Sequence, residues 1–433
     1  MKSMCHQLNR MYHCVQLRSD VASVLRQSDP RAASHFHKVS LLQQALRLAA
    51  GASLPKVAKM IRRSIVPAPA ERKLGPRTAV VTAKPLTAGK FPAGRTPEVL
   101  VRRANPQPTA VFDSYWKFAA ERQAIFHARA QGKRGPWTND PVLEDYKFTN
   151  AYRAADRVSQ FLIRNVIYSG VQDWPSTLLR ILLFKIFNKV ETWTLIAEAL
   201  GEITAQSFRI DRIDRVLTDA LAKGISIYSG AYIMPSGPRE VRQARKHLMH
   251  LALLSDIASC DLARQLQAAN SMQRGYGLLL GVPSFGPFLA FQFLIDANYS
   301  PFLNFSEMEF VMPGPGARDG IRKCFCDLGD YGEADVIRWV ADRQEIEFAA
   351  RGLNFQNLWG RPLQLIDCQN LFCEIDKYAR VVHPDVRGFS GRTRIKQRFV
   401  PTTSKPIRPW FPPKWGLNEK IAADYAAPGP SRE

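Results

Sequence analysis

Three charged side chains that lie close together in the sequence are candidates for catalysis. Glu374, Asp376 and Lys377 put two carboxylates and an amine within one turn of a predicted helix. In that helix Glu374 and Tyr378 are four residues apart, as are Cys373 and Lys377, so the side chains form two adjacent stripes. Such a group is suited to binding an amine or a pyrophosphate. The alternative is a set of surface ion pairs, which contribute little to stability.

A second pair of acids precedes a turn rich in proline and glycine. Glu307 and Glu309 are followed by Pro-Gly-Pro-Gly at 313–316. A carboxylate beside flexible backbone can stabilise positive charge or activate a nucleophile. One of the two glutamates is therefore a candidate catalytic group. The alternative is that both are ordinary loop acids.

The turn itself combines backbone donors with cations. Gly314 and Gly316 leave the backbone accessible, and Arg318 and Lys323 follow in a predicted helix start. Backbone N–H groups at a helix N-terminus bind anions, and nearby cations strengthen the binding. The sequence predicts a phosphate contact here, with a plain loop as the alternative.

A second turn lies between two apolar helical runs. At 282–290 the sequence reads Val-Pro-Ser-Phe-Gly-Pro-Phe-Leu-Ala; Gly286 is suited to a positive φ and Pro287 to the first turn of the next helix. The uncharged run 275–295 is read as this hairpin and not as a membrane span, because two prolines and two polar residues interrupt it. The pattern resembles the helix-hairpin-helix element of DNA glycosylases, with Ser284 in place of its first glycine. The resemblance implies backbone contacts to phosphate and a carboxylate, Glu307 or Glu309, facing an extruded nucleotide.

Residues 147–168 show the clearest amphipathic helical pattern. Phe148 and Tyr152 share one side of the predicted helix, and Asn150, Arg153 and Arg157 lie on the opposite side. An arginine stripe of this kind is suited to tracking a phosphate backbone. The alternative is a solvated face.

Composition favours a polyanionic partner. The 433 residues carry a formal net charge of +22, and residues 1–110 hold 19 Lys and Arg against four acids. This balance favours nucleic acid or an acidic membrane surface over a neutral metabolite. Seven cysteines and no evident signal peptide indicate reduced thiols in an intracellular protein. The sequence contains no P-loop, no dinucleotide fingerprint and no zinc-type cysteine spacing, so we expect neither a cofactor nor a metal.

The chain divides into three parts by composition. Residues 1–108 form a basic, largely disordered extension, residues 109–398 form a helical domain, and residues 399–433 form a proline-rich basic tail. The extension is an arm that holds DNA, a targeting peptide or an overlong start. We predict a mainly α fold of the helix-hairpin-helix, glycosylase-like kind, with two short strands at most. The strands are expected at 224–235, and the other main helices at 111–130, 178–200, 203–223, 238–271, 333–351 and 367–382.

Four ordered segments together resemble a known family. They are Phe112-Asp-Ser-Tyr-Trp-Lys-Phe-Ala-Ala-Glu-Arg, Pro136-Trp-Thr-Asn-Asp-Pro, Lys147-Phe-Thr-Asn-Ala-Tyr-Arg-Ala-Ala-Asp-Arg and Cys373-Glu-Ile-Asp-Lys-Tyr. They resemble the helical domain named after the 5-hydroxymethyluracil DNA kinases, which is related to the α-glutamyl/putrescinyl-thymine pyrophosphorylases. The likeness extends from about Phe112 to about Arg398.

That resemblance implies a role on DNA thymines with a modified 5-substituent. Because the sequence has no P-loop, it implies a transferase that displaces pyrophosphate after a separate DNA kinase has acted, and not the kinase itself. The alternatives are a DNA glycosylase and a non-catalytic DNA-binding module. DNA is the expected partner and no membrane is involved. The expected location is the cytoplasm, at the nucleoid, in a bacterium, and the nucleus or an organelle in a eukaryote.

Overall fold

The computed structural model describes residues 102–232, 234, 245–400 and 408–425. Within these ranges the protein is mainly α-helical, as the sequence predicts. The helices are α1 (Ala110–Ala130), α2 (Pro141–Asp145), α3 (Arg157–Phe161), α4 (Trp174–Phe187), α5 (Val190–Leu200), α6 (Ile210–Ala222), α7 (Lys246–Ser259), α8 (Leu262–Gln267), α9 (Met272–Leu280), α10 (Pro287–Asn298), α11 (Pro315–Cys324), α12 (Glu333–Ala350), α13 (Leu365–Val382) and α14 (Asn418–Asp424). Residues 1–101, most of the predicted extension, lie outside the described ranges.

A small antiparallel sheet pairs the segment before α1 with the segment after α11. Strand β1 (Gln107–Pro108) pairs with β2 (Phe325–Asp327). The predicted strands at 224–235 are wrong where the structure describes that segment, because 224–232 has an irregular backbone with bends and no strand. Its backbone bonds instead to neighbouring helices: the Thr192 hydroxyl donates to the Ile227 carbonyl (2.9 Å), and the Ser229 N–H donates to the Phe187 carbonyl (2.9 Å).

Helices α11, α13 and α1 form the tightest part of the core. At Gly320 a Cβ atom would lie 1.9 Å from the Phe372 carbonyl oxygen, so only glycine permits this approach of α11 to α13. Tyr115 and Trp116 of α1 are fully buried, and the Tyr115 ring packs 4.7 Å from that of Phe372. The predicted helices at 111–130, 333–351 and 367–382 are confirmed within one or two residues at each end.

The helix predicted at 147–168 is wrong for 147–156, whereas 157–167 is helical. The backbone is non-helical up to Tyr152, continues as a 3₁₀ turn (Arg153–Ala155) and α3, and ends in a π-helical turn (Leu162–Ile167). Backbone N–H groups of Thr149 and Asn150 donate to the side chains of Glu374 and Asp156, at 3.0 and 2.8 Å. These side-chain acceptors replace the helical hydrogen bonds that periodicity alone predicts.

The predicted helix at 178–200 is two helices. Asn188 adopts a left-handed conformation (φ +49°) that ends α4, and its side-chain oxygen accepts from Lys185 Nζ at 2.8 Å. The helix predicted at 203–223 begins only at Ile210, as α6. The segment predicted as one helix at 238–271 is two helices, α7 and α8, in its described part, and 238–244 lies outside the described residues.

The run predicted as two helices joined by a turn, 275–295, forms α9, a turn and α10, and the two helices pack against each other. Pro287 occupies the first turn of α10, as predicted. Gly286 has φ −76°, so the prediction of a positive φ there is wrong; Ser284 takes it instead, with φ +69°. Gly286 is extended because it is the N-cap of α10. No helix in the described part of the chain is long and apolar enough to cross a bilayer.

Candidate functional site

A buried charge network lies between α4, α10 and the 150–156 segment. The Arg153 guanidinium bonds both carboxylate oxygens of Asp296, at 2.7 and 3.0 Å, and Lys185 Nζ approaches the same carboxylate at 3.3 Å. The Gln292 side chain and the Tyr299 hydroxyl each accept a further guanidinium hydrogen, at 3.0 and 3.1 Å. Arg153 is 3% exposed and Asp296 is fully buried. Buried charges are tolerated only when paired, and this network satisfies each of them.

Burial and charge set the protonation of these groups. Burial alone would raise the pKa of Asp296, but Arg153 and Lys185 outweigh it and bring that pKa below its ordinary value. Burial lowers the pKa of Lys185 to about 8, although Asp296 opposes the change. Asp296 is therefore ionised at neutral pH, and Lys185 titrates close to it.

An aromatic pair lies over this network. The rings of Tyr232 and Phe288 stack almost in parallel, with centroids 5.8 Å apart and planes 4° apart. Lys185 Nζ lies 4.4 Å from the centroid of the Tyr232 ring, which is within cation–π range. Burial raises the pKa of Tyr232 to about 12, and its hydroxyl makes no hydrogen bond to another described residue. Tyr232 also has φ +54°, a conformation that non-glycine residues rarely adopt.

The Pro-Gly-Pro-Gly turn forms a wall beside the aromatic pair. A Cβ atom at Gly314 would lie 2.6 Å from the Phe288 ring, and one at Gly316 would lie 3.2 Å from Cys373 Sγ. Gly314 has an ordinary extended conformation, so its glycine is required by the close ring and not by φ. The predicted turn glycines thus lie between Phe288 and the residue that precedes Glu374.

A second acidic group adjoins the network. The Asp156 carboxylate accepts the Asn150 N–H, and burial raises the pKa of Asp156 to about 7 despite that bond. Arg122 donates to the Asn150 side chain at 2.8 Å. The charge of Asp156 contributes to raising the pKa values of both Tyr232 and Lys185. A carboxyl that titrates near neutral pH is suited to proton transfer.

Two of the predicted catalytic residues pair with each other at this site. Glu374 is buried and bonds Lys377 Nζ at 2.6 Å, and the same carboxylate accepts the Thr149 N–H. Asp376 has a different environment, because it pairs with Lys323 at 2.9 Å and with Arg380. The structure therefore joins Glu374 and Lys377 to the 149–156 segment and places Asp376 against α11.

Glu307 and Glu309 have separate partners. Glu307 is buried and pairs with Arg361 at 3.2 Å. Its charge adds to burial in raising the pKa of Asp367 to about 7, and Asp367 accepts the Arg153 N–H at 2.8 Å. Glu309 is exposed and accepts the Met272 N–H at 3.2 Å, at the start of α9. Glu307 thus borders the network, whereas Glu309 bonds a helix N-terminus.

The predicted phosphate contacts separate into buried and exposed groups. Arg153 and Lys323 are 3% and 1% exposed and bond Asp296 and Asp376, so their expected surface position is wrong. The predicted arginine stripe is wrong as well, because the continuous helix on which it was based does not form. The remaining candidates are placed as follows: Arg157, Gly286 and Arg318 are exposed, Asn150, Ser284 and Gly316 are partly buried, and Gly314 is buried.

Sequence reasoning missed Lys185, Asp296, Asp156, Tyr232 and Phe288. A usable signal was present for two of them. Asp296 is the single charge in the apolar helix α10, and Lys185 is one of two cations in the apolar helix α4. A charge in such a helix needs a partner inside the core.

Fold and site together define a mainly α-helical protein whose core carries a charge network beneath an aromatic pair. Residues 109–388 match the family described as 5-hmdU DNA kinase, helical domain, and the chain belongs to this family. This confirms the family that the four sequence segments indicate.

The chain is also similar to a 5-hmdU DNA kinase of Bacillus phage SP10, with 27% identity over 309 residues. The similar region covers 65% of this chain and 47% of the relative, so this chain spans about half the length of that protein. No solved structure matches the chain.

Proposed function

We propose that this protein acts on 5-hydroxymethyluracil, or a derivative of it, in DNA, and that the base is bound against Phe288 above the charge network. The observation that carries the proposal is the Tyr232 ring. A flat aromatic group is stacked on Phe288, with the Lys185 ammonium 4.4 Å from its centroid. A pyrimidine extruded from DNA has the same flat shape and is commonly held by aromatic stacking. Family membership supports the choice of base.

In this proposal the base takes the position of the Tyr232 ring. The two rings stack directly, so the base displaces Tyr232 and is not inserted between them. Two observations favour displacement: Tyr232 has a strained φ of +54°, and no hydrogen bond from another described residue holds its hydroxyl. The Tyr232 side chain then fills the pocket only while no base is bound.

The proposed reaction is group transfer at the 5-substituent of the base: an amine forms a bond to the 5-methylene carbon as the bond between that carbon and the pyrophosphate oxygen breaks, and pyrophosphate leaves. Asp156, whose burial raises its pKa to about 7, accepts the proton of the incoming nucleophile. Glu374 and Lys377 fix the 149–150 backbone that bonds Asp156. The 433 residues contain no P-loop, so in this reaction a separate DNA kinase supplies the activating phosphorylation.

Mass spectrometry of nucleosides tests this function. DNA carrying 5-hydroxymethyluracil or its pyrophosphate is incubated with the protein and a mixture of amino acids and polyamines. The expected product is a heavier nucleoside, lost in Asp156→Asn and retained in the exposed control Asp145→Asn. A released free base would instead establish a DNA glycosylase. Unchanged DNA that still binds the protein would establish a non-catalytic binding module.

A further inference from the structure

A strongly basic, exposed segment follows α13. We call residues 387–398 the basic strip. Its cations are all exposed, namely Arg387, Arg392, Arg394, Lys396 and Arg398. Among the residues that the structure describes, Arg398 alone of these five forms a salt bridge, with the equally exposed Asp145 at 2.6 Å. Four cations without a carboxylate partner make a surface suited to a polyanion.

The strip contains an aromatic side chain that the core does not use. Phe389 is 71% exposed, and the Arg322 guanidinium lies 5.0 Å from the centre of its ring. An exposed aromatic ring beside cations is the arrangement on which single-stranded nucleic acids stack their bases.

The backbone of the strip is held in place although its side chains are exposed. The Ser390 N–H donates to Asp319 of α11 at 3.1 Å, and the Arg394 carbonyl accepts from Arg380 of α13 at 3.0 Å. A Cβ atom at Gly388 would lie 3.0 Å from the Asp319 side chain. The strip is therefore fixed to the two helices that form the tightest part of the core.

The far end of the strip leads towards the proposed base site. The Lys147 N–H donates to the Gln397 carbonyl at 3.1 Å, and the Lys147 carbonyl accepts from Lys377 Nζ at 3.4 Å. Two residues further on, the Thr149 N–H donates to Glu374. A DNA strand bound along the basic strip would therefore pass next to the 147–149 segment, which borders the proposed base site.

We propose that the basic strip binds the phosphates of the DNA strand beside the target base, and that Phe389 stacks on a neighbouring unpaired base. The inference rests on the proposed function in taking DNA as the ligand. Extruding one base unstacks its neighbours, which gives an aromatic ring outside the pocket a base to contact. The strip contributes affinity that does not depend on which base is bound, because phosphate contacts carry no sequence information.

Salt-dependent binding tests the phosphate contacts. Fluorescence anisotropy is measured at several salt concentrations on duplexes that differ only in one thymine or 5-hydroxymethyluracil. The triple variant Arg392→Ala, Arg394→Ala, Lys396→Ala is expected to reduce the slope of log K against log salt by about 2.7, since each phosphate contact contributes roughly 0.9. The loss is expected to be equal for both bases.

The matched control removes three exposed cations elsewhere, with Arg212→Ala, Arg215→Ala, Lys223→Ala around α6. It is expected to retain the wild-type slope. A wild-type slope in the strip variant, or an equal loss in the control, overturns the inference. If wild type binds both duplexes equally while the slope of log K against log salt falls in the strip variant, the proposed function is contradicted and the phosphate contacts of the basic strip are supported. If wild type binds neither duplex, both fail.

Binding to single-stranded DNA tests Phe389 separately. Phe389→Ala is expected to weaken binding roughly tenfold, the typical effect of losing one base-stacking ring, and Phe389→Tyr to retain it. Equal affinities for the alanine variant and wild type would overturn the stacking role.

Discussion

Two ion pairs of almost equal length but opposite burial give the sharpest test of how the site is built. Asp296 bonds Arg153 at 2.7 Å with both side chains at 3% exposure or less, whereas Asp145 bonds Arg398 at 2.6 Å with both side chains about 60% exposed. Asp296→Asn leaves the buried Arg153 and Lys185 without a counter-charge. We therefore expect the free energy of unfolding to fall by about 3–5 kcal/mol.

The matched change Asp145→Asn removes an exposed charge at the same contact distance. Exposed pairs contribute about 0–1 kcal/mol, so we expect almost no loss. The measurement is urea unfolding followed by tryptophan fluorescence. If the slope of the unfolding free energy against urea concentration is the same in each variant, the shift in the midpoint reports the change in stability. If Asp296→Asn stays within about 1 kcal/mol of wild type, the charges of the network do not depend on Asp296 and the reasoning is wrong.

The pH dependence of this difference has a definite sign. The folded-state pKa of Asp296 is lowered, because Arg153 and Lys185 outweigh burial. Its stabilisation is therefore present above the unfolded pKa of about 4 and is lost as the pH falls through the folded pKa. The gap between wild type and Asp296→Asn should narrow on acidification. A constant gap would contradict this account.

Three further predictions concern the groups around the network. Gly314→Ala places a Cβ atom 2.6 Å from the Phe288 ring. It should abolish base discrimination in the binding assay and lower the free energy of unfolding by about 1–3 kcal/mol. Gly316→Ala, whose nearest contact is at 3.2 Å, should have a smaller effect in both assays. Burial raises the pKa of Asp367 in the folded protein to about 7, so the stability that its protonated form contributes is lost as the pH rises from about 4 to about 7. The melting temperature of wild type should therefore fall across this pH range, and that of Asp367→Asn should not show this fall. Asp156→Asn should remove the rise of the transfer rate near pH 7 and leave DNA affinity unchanged, because Asp156 acts on the proton and not on the DNA backbone.

Local patterns predicted those parts of the fold that depend on local interactions. The α1 helix follows from the spacing of its aromatic residues, and Pro287 indicates the start of α10. The helix prediction failed at the start of the 147–168 segment because the backbone there bonds side chains that are distant in sequence. The Thr149 N–H donates to the Glu374 side chain, 225 residues away. No periodicity in one segment reports such a partner, so propensity predicted a helix where tertiary contacts impose a different backbone.

The same reason explains which site residues were predicted. Asn150, Glu374 and Lys377 carry a recognisable residue type in a short pattern, and the structure brings them together around the 149–156 segment. Asp296 pairs with Arg153, 143 residues earlier, and the sequence indicates only that each charge needs a partner. Tyr232 has no local signal at all, because its stacking on Phe288 depends on how the chain returns to α10.

Base preference in binding tests the central claim most directly. Two oligonucleotides that differ only in one thymine or 5-hydroxymethyluracil compete for the wild type, for Phe288→Ala and for Phe288→Tyr. We predict that wild type and Phe288→Tyr prefer the 5-hydroxymethyluracil strand by roughly tenfold, as expected for one well-placed base contact. Phe288→Ala should bind both strands equally, with its salt dependence retained. Equal binding of the two strands by wild type, or an undiminished preference in Phe288→Ala, would contradict a base site on Phe288.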